Sequence, residues 1–495
     1  MKATKYIFII FCFGIIVSLY SCEDFLTTEP TTDISDNEVF KTVEGAQVAL
    51  SGCYYHLRRQ GGGGNTRQDD WGIPSLHLTF EACGPDIVLW GGWYMYDYAF
   101  WDHTRSDIFK STILWNFHYR LITNVNPIIN EVDNAVGSDE EKRHIKGQAL
   151  ALRGWAYFNL IRLYQQTYII AKEMPGVPVY TETTTSVTEG KGRGTVEETY
   201  KRITDDLEDA VTLLAGFNRG GRKNIINRQV AQSILSEVYL TMNQWQKAAD
   251  NANQARSGYN LMSREQFQAG FNDISNPEWI WGMEQTEEQN MGDYSPFAAW
   301  ASWTRKCFSW ENFLLCMDFM EMFEASDVRS QFRHPWPTMT APYNEIYATE
   351  KFRDTDDCRG SIVFTRSAAM YLTEAEALAR LGLDGQAQSV LWQLQDRRSA
   401  TRSLSTGQQL IDDILIERRK ELYGEGYVWF DLIRNQLPLD RRNLRGHINN
   451  QYYPAHSWRF IYQIPIHEMT NNDNIRLGDW PLGDQNPLDG IYIPQ

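Results

Sequence analysis

Positive charge is in short supply in this sequence. It has 47 Lys and Arg residues against 63 Asp and Glu residues, which gives a formal net charge of −16 at pH 7. Proteins that bind nucleic acid do so through basic surfaces, so no nucleic acid partner is predicted. The excess of acidic residues identifies no other partner by itself and favours solubility.

Cysteine and histidine are also scarce, with 7 and 9 residues in a chain of 495. No CxxC pair and no Cys/His cluster has the spacing of a zinc site, so neither a metal nor a cofactor is predicted. The cysteines are expected to be mostly buried thiols, with at most one or two disulfides.

Motifs of several common enzyme classes are missing as well. There is no GxSxG elbow and no GxxxxGK[ST] loop, and His467–Glu468 lacks the second histidine of a zinc protease. Glu417 and Glu421 could be read as the carboxylate pair of a glycosidase. They alternate with arginines, however, which favours a structural ion-pair network. The sequence therefore predicts a protein that is not an enzyme.

Long hydrophobic runs are limited to one, at the N-terminus. Two lysines precede an apolar run from Tyr6 to Tyr20, and Ser21 and Cys22 follow it. The run is shorter than the roughly 20 residues of a membrane-spanning helix and has the pattern of a secretory signal. The "LYSC" sequence resembles a bacterial lipobox, in which the cysteine carries lipid. Residues 1–21 are therefore predicted to be a lipoprotein signal peptide, with Cys22 as the lipid attachment site.

The rest of the chain divides into a tether and a body. Residues 22–40 are acidic and rich in Thr, which predicts a lipid-anchored tether before a body at 41–495. Within the body, "HIKGQALALRGWAYFNLIRLY" repeats apolar residues every three or four positions, which predicts a buried helix. Another helix is predicted after Thr195, where Thr195 and Glu198 can form a capping box.

Two further stretches have the pattern of tetratricopeptide helix pairs. The first turns near Met242 to Gln244, and the second turns at Gly382 and Gly385. The two copies are not in tandem, so helix pairs inside a larger α-helical fold are predicted. Residues 258–362 between them hold many Trp, Gly, Pro and Asn residues, which predicts a long irregular excursion where binding residues tend to lie.

Aromatic residues are abundant and concentrated. "LWGGWYMYDYAFW", from Leu89 to Trp101, holds three Trp, three Tyr and a Phe. Trp and Tyr rings can stack on the apolar face of a sugar, as they stack on nucleic acid bases. The two glycines between Trp90 and Trp93 let the backbone turn both rings outward. The stretch therefore indicates either a ligand platform or packed core, and the sequence leaves both open.

One motif near the C-terminus is specific enough to name a family. "ERRKELYGEGYVWFDLIR", from Glu417 to Arg434, resembles the signature of the SusD/RagB family. "CEDFL", "ALRGWAYFNLIRLYQ", "GVPVY" and "YQIPIHEMTNN" resemble further blocks of that family, in the same order. The resemblance implies a mainly α protein with a SusD-like α-superhelical fold, tetratricopeptide-like helix pairs and long irregular loops. It implies a SusD-like N-terminal part at about 41–235 and a SusD/RagB C-terminal part at about 236–495.

The resemblance also implies a function. Members are surface lipoproteins of the Bacteroidetes outer membrane that bind oligosaccharides and pass them to a TonB-dependent SusC-like β-barrel transporter. The alternative is a tetratricopeptide-like scaffold that binds peptides or mainly docks the transporter. The implied glycan-binding residues come from the aromatic stretch, the loop before it and the excursion: Trp90, Trp93, Tyr94, Tyr96, Trp71, Arg67, Tyr294, Trp300, Trp303 and Trp310.

Overall fold

The computed structural model describes residues 39–58, 67–100, 103, 105–185, 187–287, 291, 295–301, 312–333, 340, 344–352, 358–448 and 450–475. The predicted signal peptide, Cys22 and nearly all of the predicted tether lie outside these residues, so these assignments stay predictions. No helix in the described ranges is long and apolar enough to cross a membrane.

Helices make up most of the described chain. The α-helices are α1 (Val43–His56), α2 (Gly72–Ala82), α3 (Met95–Tyr98), α4 (Phe109–Glu131), α5 (Asp139–Tyr164), α6 (Tyr168–Ala171), α7 (Val196–Leu213), α8 (Arg228–Thr241), α9 (Trp245–Ala255), α10 (Arg264–Ala269), α11 (Pro296–Ala301), α12 (Met317–Met320), α13 (Ser367–Arg380), α14 (Asp384–Arg398), α15 (Gly407–Leu422), α16 (Val428–Arg434) and α17 (Ile466–Asn471). The prediction of a mainly α fold is confirmed.

Short strands fill the connections between helices. They are β1 (Ile87–Val88), β2 (Trp279–Met283), β3 (Leu314–Cys316), β4 (Phe332–Arg333), β5 (Ile346–Thr349), β6 (Ile362–Arg366), β7 (Leu439–Asp440) and β8 (Tyr452–Tyr453). They pair antiparallel in three small sheets, with strand orders β1-β3-β5-β4, β2-β6 and β7-β8. Most of them fall in the predicted irregular excursion, where the described chain has only short helices.

Capping boxes fix the starts of two long helices. At α7 the predicted box is present, because Glu198 N donates to Thr195 Oγ1 at 3.1 Å and Thr195 N donates to Glu198 Oε2 at 2.7 Å. Ser138 and Glu141 make the same exchange at the start of α5. Each box satisfies backbone donors that a helix start leaves open.

Close packing of α5 on α7 depends on glycine. A Cβ at Gly154 would lie 2.8 Å from Leu207 Cγ, and one at Gly147 would lie 2.9 Å from Leu214 Cγ. Both distances are too short for carbon atoms, so the missing side chains let the two helices approach. The apolar face predicted on α5 is buried against this neighbour and against α4.

The helix pairs continue this packing. α8 packs on α9, α9 on α13, and α13 on both α14 and α15, so neighbouring helices stack one on the next. The first predicted turn is confirmed, with Asn243 in the left-handed region at φ 57°. In the second pair Gly382 lies in the turn at φ 75°, whereas Gly385 lies inside the first turn of α14. The prediction that Gly385 lies in the turn is wrong, because the helix already begins at Asp384.

The SusD/RagB-like motif forms a buried ion-pair network on α15. Glu421 accepts from Arg329, Arg366 and Arg398, and all four side chains are fully buried. Further members extend the network in space: Asp327, Glu417, Glu278, Glu425 and Lys351. The interpretation of these acids as members of structural ion pairs is confirmed. Arginines bind the carboxylates of both Glu417 and Glu421, so the alternative of an open glycosidase pair at these two residues is wrong.

The described cysteines fit the expected pattern. Cys53, Cys83 and Cys316 are buried free thiols. Cys358 is in a disulfide, whose second cysteine lies outside the described residues.

One buried carboxyl group is not in an ion pair. Glu81 on α2 is fully buried, and its Oε1 accepts from Gly426 N at 2.8 Å. Burial raises the pKa of Glu81 to about 8, although the backbone N–H groups of Gly424 and Gly426 and the charge of Lys351 oppose the shift. The side chain is therefore neutral at pH 7 in the folded protein.

This shift predicts a pH-dependent loss of stability. The pKa of Glu81 in the folded protein lies above its ordinary value of 4.5. Its contribution to the free energy of unfolding is therefore complete below pH 4.5 and is lost as the pH rises towards 8. Glu81→Gln cannot ionise, so its stability relative to wild type should increase by about 1.4 kcal/mol per pH unit across this window. Urea unfolding at pH 5 and pH 8 measures the difference. The exposed Glu131→Gln variant is the control, and a pH-independent difference for Glu81→Gln would contradict the assignment.

Candidate functional site

The aromatic stretch presents two rings to solvent. Gly91 and Gly92 are exposed, and Gly92 has φ 87°, a conformation that side chains disfavour. In the turn that follows, 40% of the Trp93 surface is exposed. Tyr96, the second residue of α3, is 41% exposed. Tyr98 and Phe100 are fully buried, so the stretch is both platform and core.

The other predicted binding residues divide into three groups. Trp90, Trp71 and Arg67 are half-buried, and Arg67 contacts the exposed Trp93 ring. Tyr94 and Trp300 lie in the interior. Tyr294, Trp303 and Trp310 fall outside the described residues, so their assignment as binding residues stays a prediction.

Tyr94 and Trp300 do not present rings to a ligand. The Tyr94 hydroxyl donates to Gln68 O at 3.1 Å, and its ring lies edge-on to Phe313 with centroids 5.3 Å apart. Trp300 stacks on Phe352 at 5.2 Å. Both side chains are fully buried, although Tyr94 directly follows the exposed Trp93 in the sequence. We therefore remove both from the candidate site.

Arg67 supports the exposed indole. Its Cζ lies 4.3 Å from the Trp93 ring centroid and 4.4 Å from the Phe109 ring centroid. Its Nε and Nη2 donate to the two oxygens of Asp69 at 2.8 and 2.7 Å, which fixes the plane of the guanidinium. The cation thus packs on the Trp93 ring in a cation–π contact that orients the indole.

A buried lysine joins the two segments that form the site. Lys110 Nζ lies 3.4 Å from Asp69 Oδ2 and 3.3 Å from Asp97 Oδ2, and all three side chains are buried. Tyr462 donates to Asp97 Oδ1 at 2.6 Å. Asp69 belongs to the loop that carries Arg67, and Asp97 belongs to α3, beside Tyr96. Lys110 therefore fixes both to α4.

Burial and charge act differently on the two acids. At Asp69 the opposing effect of burial is outweighed by Lys110 and Arg67, so its pKa is lowered. At Asp97 burial outweighs the attraction of Lys110, so its pKa is raised. Asp69 thus contacts two cations, whereas the described partners of the Asp97 side chain are Lys110 and the hydroxyl of Tyr462.

A second arginine closes the base of the site from the C-terminal part of the chain. Arg441 is fully buried and donates to the carbonyls of Ala82, Gly84 and Tyr98 at 2.8, 2.6 and 2.5 Å. These carbonyls come from the end of α2 and the end of α3. Sequence reasoning missed Lys110 and Arg441, because neither lies in an aromatic motif and their partners are distant in sequence.

In the ranges that the structure describes, no group of three His, Cys, Asp or Glu side chains could hold a metal ion. The residues brought together are exposed aromatic rings and buried ion pairs, and exposed Trp and Tyr rings can stack on a ligand.

Family comparisons cover both halves of the chain. Residues 74–240 match a model described as "Starch-binding associating with outer membrane", and residues 334–488 match the SusD family model. The curated SusD-like protein P38 of Formosa agariphila is 24% identical over 89% of this chain and 93% of its own length.

Solved structures share the fold. A SusD-like carbohydrate binding protein from Bacteroides vulgatus has a TM-score of 0.79 and 28% identity, with 92% of this chain and all of that chain covered. A SusD superfamily protein from Bacteroides thetaiotaomicron has a TM-score of 0.74 and 26% identity over 88% of this chain and 98% of that chain. The chain belongs to the SusD/RagB family.

Proposed function

We propose that this protein binds oligosaccharides on the platform formed by Trp93 and Tyr96, with Trp90 at its edge. The observation that carries the proposal is the exposure of two aromatic rings on a segment that Lys110 and Arg67 hold in place. Exposed rings on a rigid support offer stacking surface without the entropic cost of ordering a loop. The carbohydrate-binding name of a relative at 28% identity supports the same class of ligand.

Binding without turnover is part of the proposal. The carboxylates of the family motif are occupied by arginines, and the platform itself has no exposed carboxylate pair among its described residues. A glycosidase needs two carboxyl groups across the scissile bond. The protein therefore captures glycans and hands them on intact.

The partner and the location complete the proposal. Lipid on Cys22 would anchor the protein to the outer membrane, with the body facing outward at the end of the tether. A SusC-like TonB-dependent transporter would receive the glycan. The signal sequence and the model described as associating with the outer membrane support this arrangement. Mass spectrometry of the N-terminal peptide tests the lipid, and purification from outer membranes in mild detergent tests the transporter.

Replacing the exposed rings tests the platform. A glycan array with the chain from Glu23 onward should identify an oligosaccharide that is bound and not hydrolysed. Trp93→Ala and Tyr96→Ala should each lose about 1–3 kcal/mol of binding, which is about 5- to 150-fold in affinity. Calorimetry measures the loss. Tyr55→Ala removes a tyrosine on α1 that is even more exposed than Tyr96 and should bind normally.

Three outcomes would contradict the platform. Hydrolysis of the bound glycan would make the protein an enzyme. Full affinity in both ring variants would move the site elsewhere. Failure to bind any glycan on a broad array would favour the second candidate.

That second candidate is a scaffold for protein docking. An apolar groove of about 240 Å³ runs along α15 and α16, where 46% of Ile416 and 40% of Leu437 are exposed. Exposed apolar surface of this kind suits a peptide or a partner protein. Ile416→Asp should abolish co-purification with the transporter under this candidate and leave glycan binding unchanged under the first.

A further inference from the structure

A cavity of about 100 Å³ lies between α2, α5, α8, β2, β6 and α16, apart from the aromatic platform. Aromatic rings form much of its wall, among them Phe80, Trp155, Phe158, Trp281 and Phe430. Several lining residues are half-buried, including Trp155 and Tyr427, so solvent reaches the cavity from outside. It is an apolar chamber with a polar side.

Arg162 supplies the main polar group of this chamber. Its guanidinium carbon lies 3.8 Å from the ring centroids of both Phe158 and Phe430. Its Nε donates to Phe158 O at 3.1 Å, and its Nη2 donates to Asn159 Oδ1 at 2.8 Å. The group is therefore rigidly held, and within the described chain Nη1 makes no hydrogen bond.

The carboxylates near Arg162, Glu237 and Asp431, favour its charged form but make their ion pairs with other arginines. Arg418 binds Glu237 at 3.0 Å and Asp431 at 2.8 Å, and Arg434 binds Glu376 at 2.6 Å. The cluster holds four cations and three carboxylates: Arg162, Arg380, Arg418 and Arg434 with Glu237, Glu376 and Asp431. The arginines of this cluster outnumber its carboxylates by one, and within the described chain Arg162 is the arginine of the cluster that forms no ion pair with a carboxylate.

The three remaining titratable groups of the wall, His77, Glu425 and Tyr427, leave this balance unchanged, and burial raises the pKa of Tyr427, so its phenol stays neutral. Burial lowers the pKa of His77 to about 4, so His77 is neutral at pH 7. Glu425 is paired with Lys351 and Arg366 on its far side. Burial lowers the pKa of Arg162 to about 10, which still leaves it charged at neutral pH.

We propose that this cavity binds a small carboxylate, with its anionic group on Arg162 and its apolar part against the aromatic wall. A carboxylate matches the planar donors of a guanidinium and supplies the missing negative charge. The size limits the ligand, because an apolar cavity of about 150 Å³ accommodates benzene. A monocarboxylate of about two to four carbons fits the smaller volume found here.

Matched small molecules test the proposal on the unmodified protein. Saturation-transfer NMR and calorimetry with the chain from Glu23 onward should detect propionate, and propionamide of the same shape should bind at least about tenfold more weakly. Galacturonate carries the same carboxylate on a ring too large for the volume and should also bind weakly. Equal binding of propionate and propionamide, or equal binding of galacturonate, would overturn the proposal.

Substitution of the arginine locates the binding. Arg162→Gln should weaken propionate binding at least about tenfold, because a charge-assisted hydrogen bond is lost. Arg143→Gln changes another arginine of α5 and should bind propionate as wild type does. Circular dichroism and the thermal midpoint show whether each variant is folded. Unchanged propionate affinity in folded Arg162→Gln, or an equal loss of affinity in Arg143→Gln, would refute the assignment. If Arg162→Gln does not fold, the comparison of propionate with propionamide and galacturonate on the wild-type protein decides.

Discussion

Lys110→Met should destabilise the protein by about 3–5 kcal/mol, because it leaves the buried carboxyl group of Asp97 without its cation. Asp69 retains Arg67, whereas Asp97 retains only the hydroxyl of Tyr462 among its described partners other than Lys110. The same change should weaken glycan binding, since Lys110 joins the loop of Arg67 to the helix of Tyr96. Urea unfolding measures the stability, and calorimetry measures the binding.

A double variant separates the buried charge from general packing. Lys110→Met combined with Asp97→Asn removes both members of the pair, so it should be more stable than Lys110→Met alone. Lys201→Met changes an exposed lysine on α7 and should alter stability by less than about 1 kcal/mol. If Lys110→Met were as stable as Lys201→Met, the lysine would not support the platform.

Glu421→Gln should have an effect of similar size in the C-terminal part of the chain. Burial opposes the ionisation of Glu421, but Arg398, Arg366 and Arg329 outweigh it and hold its pKa well below the ordinary value. Replacing this carboxylate by an amide leaves three buried guanidinium groups short of one negative charge. We expect a loss of about 3–5 kcal/mol in the free energy of unfolding, measured by urea or thermal denaturation.

The matched control for this variant lies on the same helix. Asp412→Asn on α15 also replaces a carboxylate by an amide, but the side chain is exposed and should contribute little. A small effect in Glu421→Gln, equal to that of Asp412→Asn, would mean that the network does not stabilise the fold. Among the described residues Glu421 makes no contact with Trp93 or Tyr96, so folded Glu421→Gln should retain glycan binding.

Local patterns were sufficient to predict many of the helices. The capping residues at Thr195 and the apolar periodicity of α5 depend on neighbours within a few positions, so they can be recognised without a structure. The helix α4 was not predicted, although it is 23 residues long. Its internal Pro127 and its buried polar residues, such as His118 and Asn126, interrupt the apolar pattern that identifies a helix.

The site was predictable only in part. Composition indicated that the aromatic stretch could hold a platform, but it could not separate Trp93 from its neighbour Tyr94, because their exposure depends on how the turn after Gly92 is oriented. The supporting contacts of Lys110 and Arg441 join residues that are 41 and 357 positions from their partners Asp69 and Gly84. Such contacts are set by the tertiary fold and leave no local signal.

The long reach of Arg441 bears on how the protein is made. The carbonyls of Ala82, Gly84 and Tyr98 receive their buried donor only when the chain has been synthesised past residue 441. A nascent or truncated chain therefore lacks the donor that closes the base of the platform, and buried carbonyls without donors are costly. Contacts so distant in sequence also slow folding. The segment that carries Trp93 and Tyr96 is thus completed only late in synthesis, so a chain that ends before residue 441 should lack its native support.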